Sequence, residues 1–285
     1  MTRLAGTVVV TGGSRGIGRA CADRLAAAGA DLLLVARGEA ELVATATELA
    51  ARSGRRVAPL VADCSTREGA ERLAAALEGC EDLLGLVHAA ATLDAIGPAL
   101  DVEADAWFEV VRVNLLGTLR TAQVVGRRLR RQARGGSMVL FSGGGGTSPF
   151  PNYTSYACGK AAVVRLAETL ALELGEAGIR VNALAPGFVA TRMHAATLAA
   201  GPAAAGGAYF ERTRQELAGG GAPPEAAAEA ALFLLAPVSA GITGRLLAAV
   251  HDDWRAWPAH AGQIAASDLF TVRRITPADR GLEWR

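Results

Sequence analysis

Lysine is nearly absent from this 285-residue sequence: arginine supplies the other strongly basic side chains, and Lys160 stands alone. Aromatic residues are sparse, 5% of the chain, with only three tyrosines. Cys21, Cys64, Cys80 and Cys158 show no CxxC spacing and no His/Cys cluster accompanies them, which argues against a metal site. No apolar run reaches the roughly eighteen residues that span a bilayer, so no membrane partner is expected. A formal charge of +1 leaves no broad basic field for nucleic acid. The one basic cluster, 127–131, closes an expected helix, where cations complement the dipole. No signal-peptide pattern opens the sequence, so free thiols and a cytoplasmic location are expected. What is present is 51% hydrophobic and 20% charged, enough for a sizeable core.

The lone lysine follows Tyr156 by four residues, in Tyr156-Ala157-Cys158-Gly159-Lys160. On a helix those two side chains share a face. An ammonium beside a phenol favours the phenolate and lowers its pKa. Arginine, a wide planar fork, replaces such a point charge poorly.

Along the chain, the β-branched run 7–11 leads directly into Thr11-Gly12-Gly13-Ser14-Arg15-Gly16-Ile17-Gly18 and then a helical pattern over 17–28. Strand, glycine turn and helix in succession make a pyrophosphate cradle, with helix N–H groups aimed at the anion. Alternation continues: strands at 32–36, 57–62 and 83–88, and helices at 39–52 and 68–77. A long helical stretch over 104–133 breaks near Asn114. A strand at 138–142, a Gly/Ser/Pro loop at 143–152, a helix carrying Tyr156 to about 174, and strands at 180–185 and 245–250 complete the pattern. Buried-type strands separated by amphipathic helices predict an α/β fold, a Rossmann-type doubly wound parallel sheet of about seven strands in a single domain.

TGGSRGIG after the first strand, Asn114 in VNLLGT, a serine ending the fifth strand, YACGK, and Pro186-Gly187 with Thr191 together resemble the short-chain dehydrogenase/reductases over residues 5–250. The resemblance implies a nicotinamide dinucleotide held by Gly12, Ser14, Arg15, Gly16, Ile17 and Gly18. It places Asp63 and Cys64 at the adenine, Pro186, Gly187, Val189 and Thr191 at the nicotinamide, and the Ala90 backbone at the ribose. His88-Ala89-Ala90-Ala91 stands where the family has Asn-Asn-Ala-Gly, so both asparagines and the glycine are lost. His88 is expected among the cofactor-binding residues, as a strand-end replacement for an asparagine hydrogen bond; the alternative reading is a catalytic base. The second strand ends in Arg37 rather than an acid, and Arg15 adds a second cation. This pair favours NADP(H) over NAD(H), because guanidinium groups make bidentate contacts to a 2′-phosphate.

On the catalytic side the resemblance makes Tyr156 the general acid/base, Lys160 the group that lowers its pKa and binds the ribose, and Asn114 the holder of a relay water. Ser142 is the expected third partner. It lies fourteen residues before Tyr156, one more than the family spacing, and strict counting puts the slot on Gly143. Either the Gly143–Gly146 run absorbs the extra residue and Ser142 serves, or the hydroxyl is missing and Thr147, Ser148 or a substrate hydroxyl stands in.

Residues 188–222 are expected to form a long substrate-lid loop, with Phe188, Met193, His194, Tyr209 and Phe210 as its large side chains. The catalytic domain is taken as 1–250. The extension 251–285, with Trp254 and Trp257, is expected to pack on the domain or a neighbouring subunit, or to close over the pocket. The function that follows is NADP(H)-dependent interconversion of a secondary alcohol and a ketone. The alternatives are a redox-neutral epimerase or dehydratase on a sugar-like substrate, and a non-catalytic NADP-binding protein. Partners are a small-molecule alcohol or ketone and, by resemblance, further copies in a homodimer or homotetramer.

Overall fold

The computed structural model describes residues 3–284. Seven parallel strands form one sheet in the order β3-β2-β1-β4-β5-β6-β7. They are β1 (Thr7–Thr11), β2 (Asp31–Ala36), β3 (Val57–Val61), β4 (Leu83–His88), β5 (Gly136–Phe141), β6 (Ile179–Ala185) and β7 (Leu246–Ala248). The helices are α1 (Gly16–Ala27), α2 (Glu39–Ser53), α3 (Arg67–Ala76), α4 (Ala104–Val111), α5 (Gly117–Gln132), α6 (Thr154–Leu174), α7 (Arg192–Ala205), α8 (Gly207–Ala218), α9 (Pro224–Leu235) and α10 (Ala261–Ala265).

Strand side chains alternate between faces, and the two faces of this sheet are separate cores. Val8, Val10, Leu32 and Leu34 pack with Leu25, Leu42, Leu49 and the apolar face of α9. Val9, Leu33, Met138 and Leu140 pack with Leu73, Leu129, Val163 and Val164 on the opposite side. Both faces are covered, as the uniformly apolar strands require. β3 is the exception. It is only partly buried and carries Pro59, a residue tolerated at a sheet edge because it cannot donate to a further strand.

The order reverses between β1 and β4, each pairing with the other and with a different outer strand. At such a switch point the loops leaving the carboxyl ends diverge and open a crevice. The stretch between β4 and β5 breaks as expected: α4 and α5 are joined by one π-helical turn, Arg112–Leu116, that holds Asn114 fully buried. A π turn sets one residue out of α register and often marks a working site.

One segment differs from the sequence expectation, and a second takes one of the placements expected for it. Residues 188–222 are chiefly helical: α7, kinked at Gly201 and Pro202, and α8 follow one another over the crevice. The chain after β7 lies against its own domain. Trp254 and Trp257 are buried in the first core, against Phe233 and Phe270 at ring-centroid separations of 5.0 and 4.2 Å. Backbone Leu246 N–H donates to the Phe270 carbonyl at 2.8 Å, so the tail covers the free edge of β7.

Candidate active site

The crevice is a cleft of about 1100 Å³ above the carboxyl ends of the strands. The expected cofactor residues Gly12, Ser14, Arg15, Gly16, Ile17, Gly18, Arg37, Asp63, Cys64, Ala90, Pro186, Gly187, Val189 and Thr191 all line it, as do Ser142, Tyr156 and Lys160. Two expected residues do not reach it. Asn114 is fully buried behind it, and His88 lies beneath its floor.

At one end the glycine turn runs into α1. Gly16 has φ of +54°, the left-handed region, and a Cβ on Gly18 would run into the Gly12 carbonyl. α1 has no acidic residue in its first turn and no side-chain cap, so its first N–H groups face the cleft unsatisfied by the protein. Thr191 closes over this turn: a Cβ on Gly16 would meet its methyl at 3.4 Å. Arg15 and Arg37 are both exposed. Their nearest carboxylates, Glu41 and Asp63, lie at 3.8 and 3.9 Å. Burial raises the Asp63 pKa, but bonds from the Ser65 hydroxyl and N–H, with Arg37 nearby, leave it below the ordinary carboxylate value. Burial also drives the Cys64 thiol up to about 11, so this neighbour of Asp63 is an uncharged wall.

His88 ends β4 opposite Thr11, and its Nδ1 is 3.0 Å from the Thr11 hydroxyl. That hydroxyl also accepts from the Ala90 N–H at 3.2 Å. The imidazole therefore holds the strand ends together under the cofactor region. The expectation that it contacts the cofactor is corrected by its position. Burial, with Lys160 nearby, depresses its pKa to about 3, and its Nε2 meets no protein partner. Between pH 6.5 and about 3 the unfolded chain binds a proton here that the native state refuses, so stability falls as pH falls through that window. His88→Asn is expected to remove this acid sensitivity, up to about 1.4 kcal/mol per pH unit. Urea unfolding midpoints at pH 7 and pH 4.5 measure it, and an equal pH slope in the two proteins would contradict the assignment.

Asn114 also works through backbone. Its amide bonds the Thr92 carbonyl at 2.9 Å and accepts from the Thr92 N–H at 2.8 Å, stapling the segment after β4. Its own carbonyl, displaced by the π turn, takes the Thr118 hydroxyl at 2.6 Å.

At the centre, α6 presents Tyr156 and Lys160 one turn apart, with Nζ 5.6 Å from the phenol ring centroid. Lys160 is 3% exposed, and Nζ donates to the Phe141 carbonyl at 2.9 Å. Burial outweighs the pairing expected from sequence. It drives Lys160 down to about 8 and, with Tyr209 adding to it, pushes the Tyr156 phenol well above its usual value. The resting tyrosine therefore carries its proton.

The third position is corrected. The Ser142 hydroxyl points to the Lys160 carbonyl, at 3.3 Å. A Cβ built on Gly143, one residue on, would sit directly against the Tyr156 hydroxyl. Successive side chains leaving a strand face opposite ways, so the slot beside the phenol belongs to Gly143, which has no side chain to fill it. Ser148 does not line the cleft, and Thr147 lines it as an exposed residue.

Around Tyr156 the remaining tyrosines gather. Phe150 stacks on Tyr153 at 4.4 Å and meets Tyr209 edge-on at 4.7 Å, while the Tyr153 hydroxyl bonds Thr197 in α7 at 3.0 Å. Of the expected lid side chains, Phe188, Met193, His194 and Tyr209 line the cleft, and Phe210 packs behind it. Sequence reading missed Glu41, Phe150 and Arg212, which line it too. The Phe150/Tyr153 spacing ahead of the Tyr156 helix was the available signal.

The family model described as enoyl-(acyl carrier protein) reductase matches residues 12–249. The chain is 35% identical to a galactitol 2-dehydrogenase (L-tagatose-forming) of Cereibacter sphaeroides, over 90% of this chain and 97% of that protein. It is 33% identical to a short chain dehydrogenase of Pseudocercospora fijiensis, over 66% of this chain and 61% of that one. The chain belongs to the short-chain dehydrogenase/reductases. A solved actinorhodin polyketide ketoreductase variant with NADPH superposes with a TM-score of 0.76 at 27% identity, covering 86% of this chain and 95% of that one. As a short-chain dehydrogenase/reductase the protein is an oxidoreductase of CH–OH groups that uses NAD(P). Its cleft suits that group: a tight turn in which a Cβ on Gly12 or Gly18 would run into neighbouring backbone, and open helix N–H groups for a pyrophosphate. No described helix is long and apolar enough to cross a membrane.

Proposed function

We propose that the protein is an NADP(H)-dependent oxidoreductase that interconverts a secondary alcohol and a ketone, with Tyr156 as the proton donor and acceptor. One observation carries this reading: a buried, proton-bearing phenol opens into the dinucleotide cleft with a buried lysine one turn behind it. A bound nicotinamide supplies or takes the hydride, two electrons and one proton. The second proton is the protein's part. In ketone reduction Tyr156 gives it to the carbonyl oxygen, and the phenolate so formed is stabilised by the Lys160 ammonium. In alcohol oxidation the same oxygen must first lose its proton. Polyol and sugar dehydrogenases among the relatives, such as the galactitol enzyme, support an alcohol substrate.

Preference for NADP(H) is supported by Arg15 and Arg37, which flank one corner of the cleft with no carboxylate in close bonding range. Glu41 borders the same corner, and a 2′-phosphate would take Arg15 from it. Changing Arg15 and Arg37 together to Ala is expected to weaken NADPH binding by about 10–100-fold, at about 1.5–3 kcal/mol per charged hydrogen bond lost. NADH binding should move less than about threefold. Calorimetric titration of both cofactors decides it, and a wild-type preference for NADH would sink the arginine assignment. Net NADPH oxidation across a ketone panel then tests the reaction itself.

Self-association as a homodimer or homotetramer is supported by Phe108 on α4 and Leu172 on α6, large apolar side chains 62% and 85% exposed on helices that follow β4 and β5. All four cysteines are free, which suits a reducing compartment such as the cytoplasm.

A further inference from the structure

The phenol of Tyr156 opens into the cleft without a hydrogen bond from any described residue, and the slot beside it is Gly143. The hydroxyl that sequence spacing offered in its place is committed elsewhere, to the Lys160 carbonyl. We infer that the substrate fills this slot: the protein acts on secondary alcohols bearing a second hydroxyl on the adjacent carbon, that is, vicinal diols and the matching α-hydroxy ketones. This inference rests on the Tyr156 reading above.

Proton transfer at Tyr156 builds negative charge either on the phenol oxygen or on the reacting oxygen. A fixed donor between the two is worth about 10²–10³-fold in rate. The two oxygens of a gauche vicinal diol lie within about 3 Å, inside hydrogen-bond range. With the reacting oxygen at Tyr156, the neighbouring hydroxyl reaches the cleft side of the phenol and can donate there in place of the side chain that Gly143 lacks. A simple secondary alcohol leaves that position without a donor. Gly143 lets the phenol lie directly against the backbone, and the following Gly144 and Gly145 line the same wall of the cleft. Asp94, His194 and Arg212 line the cleft as well, giving polar partners for a multiply hydroxylated substrate.

The test compares cis- and trans-1,2-cyclohexanediol with cyclohexanol, using the full-length protein with NADP. Wild type is expected to favour one diol over cyclohexanol by about 100-fold or more in kcat/KM. Gly143→Ser, at a position without positive φ, restores a protein donor once the Tyr156 hydroxyl yields to its Cβ. It should raise cyclohexanol turnover and bring the ratio below about 10. Gly143→Ala presses a methyl on the Tyr156 hydroxyl without supplying a donor, so it should lower diol turnover at least tenfold and cyclohexanol turnover with it. Calorimetric binding of the diol should weaken in Gly143→Ala to match. A wild-type ratio near one overturns the inference even if Gly143→Ser fails to fold. If that ratio is near one while turnover still depends on Tyr156, the oxidoreductase reading survives alone. If neither alcohol turns over and Tyr156→Phe changes nothing, both fall.

Discussion

Tyr156→Phe is expected to lower kcat for ketone reduction by about 10³-fold while leaving NADPH affinity within about twofold. The substitution removes one oxygen. It keeps the ring against Phe150, whose edge-on contact at 6.4 Å needs no hydroxyl. It also leaves Lys160 on the Phe141 carbonyl. What disappears is the proton, and a positioned general acid contributes about 10²–10⁴-fold. Burial holds the wild-type phenol protonated at neutral pH, so reduction should be nearly flat from pH 6 to 7.5, whereas oxidation, which needs the phenolate, should climb with pH. The variant should lose that climb. A residual rate within tenfold of wild type, or an unchanged pH slope for oxidation, would remove Tyr156 from the chemistry.

Lys160→Met provides the control for a merely structural role. The native state keeps the Lys160 proton only to about pH 8, against 10.5 for a free lysine. The unfolded chain binds the extra proton between those values, so wild-type stability rises with pH across that window. At pH 7 the buried ammonium costs about 3 kcal/mol relative to an unfolded lysine. Methionine should relieve up to that amount, abolish the alkaline rise and still lose turnover. Lost turnover in a stabler protein would mark Lys160 as kept for the reaction and not for the fold.

The scaffold was legible because its signals are local. Apolar runs bounded by glycine or charge located β1 at Thr7–Thr11 and β4 at Leu83–His88 without error, and the break near Asn114 proved to be a π turn. The lid was misread as a loop. α7 carries Gly201 and Pro202 and, like α8, has few large apolar residues in helical register. These helices rest on tertiary contacts such as Tyr153 to Thr197. Residue counting could name Ser142 and Gly143 as candidates, but choosing between them takes the direction each leaves β5. The Tyr156 and Lys160 ionisation depended on how deeply they are buried, a property of the whole fold. Glu41 escaped notice because its place beside Arg15 depends on how α2 is rotated.

Removing residues 253–285 is expected to unfold the protein at 37 °C. The segment looks like an appendage in the sequence, yet Trp254, Trp257 and Ile264 are each no more than 4% exposed and belong to the core beneath α1 and α9. Truncating one buried tryptophan to alanine costs about 3–5 kcal/mol, against a total domain stability of about 5–15 kcal/mol. Polar groups are stranded as well. The Arg245 guanidinium gives its bonds to the Ile264 and Leu269 carbonyls, at 2.6 and 3.1 Å. Glu168 on α6 accepts from the Val272 N–H at 2.7 Å, and Arg165 reaches the Val272 carbonyl. Deletion leaves that arginine and glutamate without these partners and bares the β7 edge, an invitation to pairing between chains. The helix that loses this support is the one that positions Tyr156 and Lys160. Trp257→Ala, the milder change, should lower stability by about 3–5 kcal/mol and kcat only in proportion to the folded fraction. Thermal melts of both variants, with size-exclusion profiles for aggregation, measure this. A truncated protein that stays folded, unaggregated and active would show the tail to be dispensable.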